Sequence, residues 1–202
     1  MSVKLYKNDA SPPCRAVMML CDLLGIKFEA IEIKTSEKQQ LTQEYLKINP
    51  LHTVPVLEHN GLILLDSHAI LMYLTDKFSK NDQLYPKDLI KRSLVNQKLF
   101  FECGIIFPRF LHIIQRELIY EAYNFLESFL SNTKYIAGDN LTIADLSAFA
   151  TVSSTVYTLP LLEKYPKIQA WLKDLENQSF HKKYNKEGVF SLGERLKNCY
   201  KD

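Results

Sequence analysis

The stretch 49–78, NPLHTVPVLEHNGLILLDSHAILMYLTDKF, decides how this chain is read. Residues 54–57 and 62–65 are short β-compatible runs, and Asn60 followed by Gly61 favours a tight hairpin turn with positive φ. Pro55 is unusual inside such a run. It has no N–H to give a ladder, so it belongs on an edge or at a special bond. A cis Val54–Pro55 peptide would bend the chain and turn the Val54 amide and carbonyl outward. An extended, peptide-like ligand can pair with such an edge as an added strand does. Asp66, Ser67 and His68 then open a helix on which Ile70, Leu71, Leu74 and Phe78 keep helical spacing. A helix start offers unpaired N–H donors and the positive end of a dipole, which suits a carboxylate. Asp66 beside it suits a cationic amine. The pattern fits an extended peptide that carries an amine and a carboxylate at one end.

Upstream, residues 3–6 form a strand candidate, and SPPCRAVMMLCDLLG follows at 11–25. Val17, Leu20, Cys21 and Leu24 recur at helical spacing and Gly25 supplies a stop, so the stretch predicts an amphipathic helix. Pro12 suits the first turn and makes Ser11 the N-cap. Residues 26–33 read as a second strand and 41–48 as a short helix. The order strand, helix, strand, helix, hairpin, helix describes an α/β domain. The polar stretch SKNDQLYP at 79–86 is the best linker, and beyond it strand signals vanish. Residues 89–107 are apolar at helical spacing, with Gly104 and Pro108 predicting a kink. Leu141, Thr142, Asp145 and Leu146 read as a capping box with its staple. Pro166 starts a helix with Ile168, Trp171, Leu172 and Leu175 on one face. Between 109 and 131 there is neither Gly nor Pro, yet a helical bundle must turn back, and the turn is expected at 115–118.

Composition narrows the function class. Of 202 residues, 47% are hydrophobic and 24% charged, which reads as a soluble globular chain with a sizeable core. A net charge of +2 and a pI of about 8.2 are too balanced to imply nucleic acid or an anionic membrane. The apolar run 16–21 falls far short of a membrane span, and the first residues carry no signal-peptide pattern. Cys14, Cys21, Cys103 and Cys199 lack metal-ligand spacing, and a cytoplasmic location would keep them reduced.

NPLHTVP followed by a hairpin and DSHAI, with SPPCRAV upstream, resembles the glutathione-binding half of insect glutathione transferases of the delta/epsilon group. The wording of DSHAI and SPPCRAV is more similar to the epsilon class. NPLHTVPVL, DSHAI and YPKD also resemble its noppera-bo branch, linked to ecdysteroid production. That branch places a carboxylate on the long helix facing the steroid. Phe110 stands there in this chain, so the main reason for a steroid assignment is missing. The resemblance covers nearly the whole chain and rests on two motifs in matching order. It implies a thioredoxin-like glutathione-binding domain over 1–79, a linker over 80–86, and an all-helical domain over 87–202 holding a hydrophobic acceptor. The implied reaction joins the glutathione thiolate to small hydrophobic electrophiles, as in detoxification, with glutathione as co-substrate and no metal. The implied assembly is a cytoplasmic homodimer.

The resemblance also distributes roles. Ser11 would stabilise the thiolate without being the nucleophile, although Ser-Pro-Pro serves equally as a plain N-cap. His52, otherwise an ordinary loop histidine, matches the residue that binds the glycine end. Thr53 borders it, and Val54 gives main-chain bonds to the cysteinyl unit. Asp66 and Ser67 match the residues that hold the γ-glutamyl end, and His68 stands where delta relatives often have arginine. Gln40 replaces a histidine that reaches the glycine carboxylate, leaving a neutral donor. Pro13, Phe107, Phe110, Leu111 and Ile114, with Phe190, are candidates for the acceptor pocket, or else ordinary core. Two other readings stay open: a hydrophobic-ligand binder of the same fold, and a thiol-disulfide enzyme using Cys14, the second position of a CxxC motif whose first cysteine is Ser11.

Overall fold

The computed structural model describes residues 3–111, 116–159 and 163–199. Four strands, β1 (Val3–Lys7), β2 (Phe28–Glu32), β3 (Val56–His59) and β4 (Leu62–Leu64), form a mixed sheet in the order β2-β1-β3-β4. β1 runs parallel to β2, with Val3 opposite Phe28, and antiparallel to β3, with Tyr6 opposite Val56. The β3–β4 hairpin turns on Asn60 at φ 51° and Gly61 at φ 81°, the two left-handed residues that a type I′ turn requires. The Val54–Pro55 peptide is cis. Strand pairing starts only at Val56 rather than Val54, because a residue without N–H cannot enter the ladder.

Helix α1 (Pro12–Leu24) follows β1 and ends in Gly25 at φ 67°, whose N–H reaches the Asp22 carbonyl at 3.1 Å. The expected apolar stripe is in fact a nearly all-round burial: Pro12 and every residue from 14 through 21 are buried. The reason is α7 (Ile143–Thr158), which packs against α1 and is itself buried at every position from 143 through 155. The short helix α2 (Gln43–Ile48) and α3 (Ser67–Phe78) complete the first half.

The second half is helical: α4 (Leu89–Phe101), α5 (Phe107–Leu111), α6 (Arg116–Leu130), α7, α8 (Pro166–Glu176) and α9 (Lys186–Cys199). The expected kink is a π turn over Glu102–Ile106, which contains Gly104 and inserts an extra residue into the helical ladder before α5. The turn expected at 115–118 needs correction. Residues 116–118 already belong to α6, and Gln115 lies outside the described residues. The buried stripe Ile119, Ala122, Tyr123, Leu126 and Leu130 gives α6 its helical face against the core.

The capping box at α7 is present. Asp145 Oδ2 accepts from the Thr142 N–H at 3.0 Å and the Thr142 hydroxyl at 2.9 Å. Oδ1 accepts from the Ile136 N–H at 3.0 Å and from the Trp171 indole at 3.1 Å. One fully buried carboxylate therefore ties the 131–142 loop and α8 to the start of the central helix. Asp145→Ala orphans those donors and is expected to cost roughly 3 kcal/mol, about 6–12 °C in Tm for a chain of this size. Thermal unfolding of the variant beside the parent checks it.

Candidate functional site

The sheet register brings the sequence-predicted segments to one end. β1 ends where β3 begins, and Leu57 pairs with Leu64, so the loop before α1, the cis Val54–Pro55 bond and the start of α3 share an edge.

The loop before α1 is shaped by Asn8, a buried residue with no mark in the sequence pattern. Its Oδ1 accepts from the Ala10 N–H at 3.0 Å, and its Nδ2 donates to the Ile33 carbonyl at 3.0 Å. Ser11 follows at the N-cap position of α1, half-buried, its N–H on the Asn8 carbonyl at 3.0 Å. Its hydroxyl makes no capping bond to the helix, so the plain-cap reading finds no support. Pro12 and Pro13 remove two of the N–H donors that a helix start normally presents, which leaves more of the polar work here to the Ser11 hydroxyl. Cys14 is fully buried, and burial pushes its thiol up to about 11 against hydrogen bonds from Ser11 and the Asn8 amide. Such a thiol is protonated and inaccessible, unlike a reactive one.

The loop carrying His52, Thr53 and Val54 is held from beneath. Tyr45 donates its hydroxyl to the Thr53 carbonyl at 2.6 Å. Buried Asn49 donates to the same carbonyl at 2.8 Å and accepts from the Leu51 N–H at 2.9 Å. His52 adopts a left-handed φ of 49° and is exposed. Gln40 sits in a short 3₁₀ turn, Gln39–Leu41, with its Oε1 buried and without a partner. His59 is carried to the far end of the hairpin, bonded to the Tyr73 hydroxyl at 2.8 Å.

Asp66 caps α3, accepting from the N–H groups of His68 at 2.9 Å and Ala69 at 3.0 Å, and remains exposed. His68 continues into a buried network. Its Nε2 lies 2.9 Å from Glu102 Oε2 and 3.1 Å from the Ser147 hydroxyl, and its Nδ1 lies 3.7 Å from Asp66. Glu102 also accepts from Thr151 at 2.6 Å and Ser147 at 3.2 Å. Burial works against a charged ring, and the carboxylates of Asp66 and Glu102 outweigh it, raising the His68 pKa to about 9. His68 in turn holds Asp66 down to about 2. The helix start is thus wired to α7 through a protonated imidazole.

The acceptor candidates divide. Pro13 and Phe107 are half-buried, while Phe110 is only 5% exposed and packs in the core with its ring 6.2 Å from that of Phe107. Phe190 is exposed, edge-on to Tyr157. Ile114 and the side chain of Leu111 lie outside the described residues. Sequence reasoning missed Asn8, Arg15, Tyr45, Asn49 and Glu102. Arg15 and Glu102 did carry a signal, each being a lone charge within an apolar run.

A four-stranded mixed sheet with a cis-proline edge beside two helix starts, joined to a helical half, defines a thioredoxin-like domain with a helical partner. Residues 5–82 match the family model of the glutathione S-transferase N-terminal domain, and residues 112–179 that of the C-terminal domain. Glutathione S-transferase 1 of Manduca sexta is 38% identical, with 93% of this chain and 94% of that one covered. An epsilon-class glutathione S-transferase from the housefly Musca domestica is structurally similar, with a TM-score of 0.94, 42% identity and 98% of each chain covered. A glutathione transferase homologue from Drosophila mojavensis, solved with bound glutathione, gives a TM-score of 0.94 at 38% identity over 98% of this chain and 97% of that one. The chain belongs to the glutathione S-transferase family.

The network at His68 yields a pH signature. A raised imidazole pKa contributes stability that is complete below about pH 6.5 and is lost as pH rises through about 9. A nuclear magnetic resonance titration of the His68 ring should show a midpoint near pH 9, and Glu102→Gln should lower it by a unit or more. A midpoint near 6.5 in the parent would mean that the carboxylates do not hold the proton.

Proposed function

We propose that this chain conjugates the glutathione thiolate to small hydrophobic electrophiles, with Ser11 holding the sulfur. The observation that carries the reading is the Ser11 hydroxyl, half-buried at the sheet end, which caps no backbone N–H of the helix it precedes and meets the buried Cys14 thiol instead. In this reading the first domain spans 1–79, a linker spans 80–86, and the helical domain spans 87–202. His52 and Gln40 take the glycine end, Thr53 borders it, the Val54 main chain pairs with the cysteinyl unit, and Asp66 and Ser67 take the γ-glutamyl end. Pro13 and Phe107 would border the acceptor, with Leu111 and Ile114 assigned there by the family resemblance alone, while Phe110 belongs to the core. Gln40 would meet the glycine carboxylate through its side-chain amide N–H, since its Oε1 is a buried acceptor. The SPPCRAV and DSHAI wording and the likeness to the housefly enzyme favour the epsilon class.

The chemistry needed is modest. A free thiol near pKa 8.5 is only a few per cent thiolate at neutral pH, and lowering it by about two units takes roughly 2.7 kcal/mol. A hydroxyl hydrogen bond to an anion is worth about 1.5–3 kcal/mol, to which the helix dipole adds about 0.3–1 kcal/mol. The thiol proton passes to water, the sulfur pair forms the S–C bond, and the leaving group departs with its own pair or, in an addition, the acceptor takes a proton. Detoxification, a cytoplasmic location and a homodimer belong to the same reading. Leu89, Ile90 and Leu94 on α4 are 79%, 76% and 45% exposed, an apolar face that a second copy would cover. Sedimentation at micromolar concentration should show a dimer, and a fully active monomer would remove that part.

The test is glutathione-resin retention with conjugation of a chlorinated dinitrobenzene. Ser11→Ala should lower kcat about 10- to 100-fold by losing one charge-assisted bond while still binding glutathione. Asp66→Ala should instead raise the KM for glutathione. Retention by the parent without turnover would favour a binding protein. Disulfide reduction that Cys14→Ser abolishes would favour a redox enzyme.

A further inference from the structure

The largest fully buried side chain in the described chain is a charged one, Arg15, on the first turns of α1. Its donors reach both halves of the molecule. Nη1 donates to the Ala10 carbonyl at 2.6 Å and the Asp9 carbonyl at 3.4 Å, just before Ser11. Nη2 donates to the Ala150 carbonyl of α7 at 2.9 Å and to the Ser154 hydroxyl. Nε donates to Asn185 Oδ1 at 2.9 Å, in the π turn that leads into α9. Every acceptor is neutral. The carboxylate of Asp9 pairs outward with Lys7 at 2.8 Å, and no described carboxylate lies within ion-pair distance of the guanidinium. Burying such a charge is costly unless it is paired. Burial lowers its pKa only to about 9, so it stays charged at neutral pH. The α9 helix approaches the same loop through Gly188, where a Cβ would stand 2.1 Å from the Asp9 carbonyl oxygen and 2.4 Å from Arg15 Cδ.

We propose that Arg15 is a positioning residue for the thiol chemistry: it locks the loop bearing Ser11 against the helical half, and its unbalanced positive charge favours thiolate over thiol at that serine. The inference rests on the reading of Ser11 given above. It assigns Arg15 no contact with substrate. The other charges around it do not cancel the effect. Cys14 is a buried neutral thiol, Glu32 at the end of β2 pairs with Lys7, and α7 presents only Ser153, Ser154 and the Ala150 carbonyl. The π turn and α9 add His181, whose Nδ1 is 3.3 Å from Asn185 Nδ2, the cations Lys182 and Lys186, and the anion Glu187, which is exposed to solvent and has no ion-pair contact with Arg15. The two prolines at the start of α1 increase the weight of such a charge, because the N–H donors they remove cannot serve the sulfur.

Removing Arg15 outright threatens the fold, so the discriminating change is Asn185→Asp. It keeps the shape and the acceptor on Nε, replaces the 3.0 Å donor to the Ser153 hydroxyl by an acceptor to which that hydroxyl can turn and donate, and supplies the missing anion. With glutathione saturating the whole chain, ultraviolet thiolate absorbance is titrated for the parent, Asn185→Asp and Ser11→Ala. Asn185→Asp should fold with undiminished Tm, shift the thiolate midpoint to higher pH, and leave about tenfold less thiolate below the midpoint, equivalent to one pKa unit. Its kcat should fall at low pH and recover at high pH, which a merely structural role would not produce. An unmoved midpoint, or a variant that cannot fold beside a supposedly unbalanced cation, overturns the electrostatic claim. Gly188→Ala tests the mechanical one: it removes no hydrogen-bonding group, yet it should lower kcat severalfold with little change in glutathione KM. An unchanged kcat there overturns the locking claim. If Ser11→Ala leaves the midpoint unmoved, the serine reading fails instead, so the two failures are told apart.

Discussion

A single buried guanidinium joins the two halves of this chain, and much of the site geometry depends on it. Arginine offers five N–H donors in a planar fork, and Arg15 spends them on the loop before α1, on α7 and on the turn before α9. Hydrophobic contact alone would not set this relation, since apolar faces slide at little cost. The directional bonds do, because a mismatch leaves buried donors unsatisfied. A packed α1–α7 contact then carries the register across to the sheet end, where the Ser11 loop and the cis-proline edge meet.

A second polar contact of the same kind spans the halves at α3. His68, Glu102, Ser147 and Thr151 form a closed set in which each buried polar group has a partner. Its charges differ from those at Arg15. Here one cation, His68, faces two anions, Asp66 and Glu102, so the network fixes the start of α3 and leaves it net negative. In the proposed reading the site is two-ended: a net-negative end at Asp66 for an amine, and a positive end near Ser11 for a thiolate.

Most of the fold was legible in the sequence because its signals are local. Asn60 and Gly61 announce their turn by needing positive φ, Gly25 its helix stop, and Thr142 with Asp145 their capping box. The proposed contact residues Ser11, Val54, Asp66 and Ser67 rest on the two motifs that carry them. What supports those residues was not. Asn8, Tyr45 and Asn49 act by bonds to carbonyls of other segments, and only the folded chain shows which carbonyl is near. The breadth of burial on α1 was hidden for the same reason, since it comes from α7, more than a hundred positions away. Strand ends slipped by a residue or two where proline withheld a donor.

The central claim is that the loop before α1, the edge at Val54 and the start of α3 together form one glutathione site. The most direct measurement is a crystal structure of this chain with glutathione bound. The account predicts the sulfur within hydrogen-bond distance of the Ser11 hydroxyl, the cysteinyl main chain paired with Val54, and the γ-glutamyl amine on Asp66. Glutathione bound elsewhere, or with its sulfur directed away from Ser11, would contradict it.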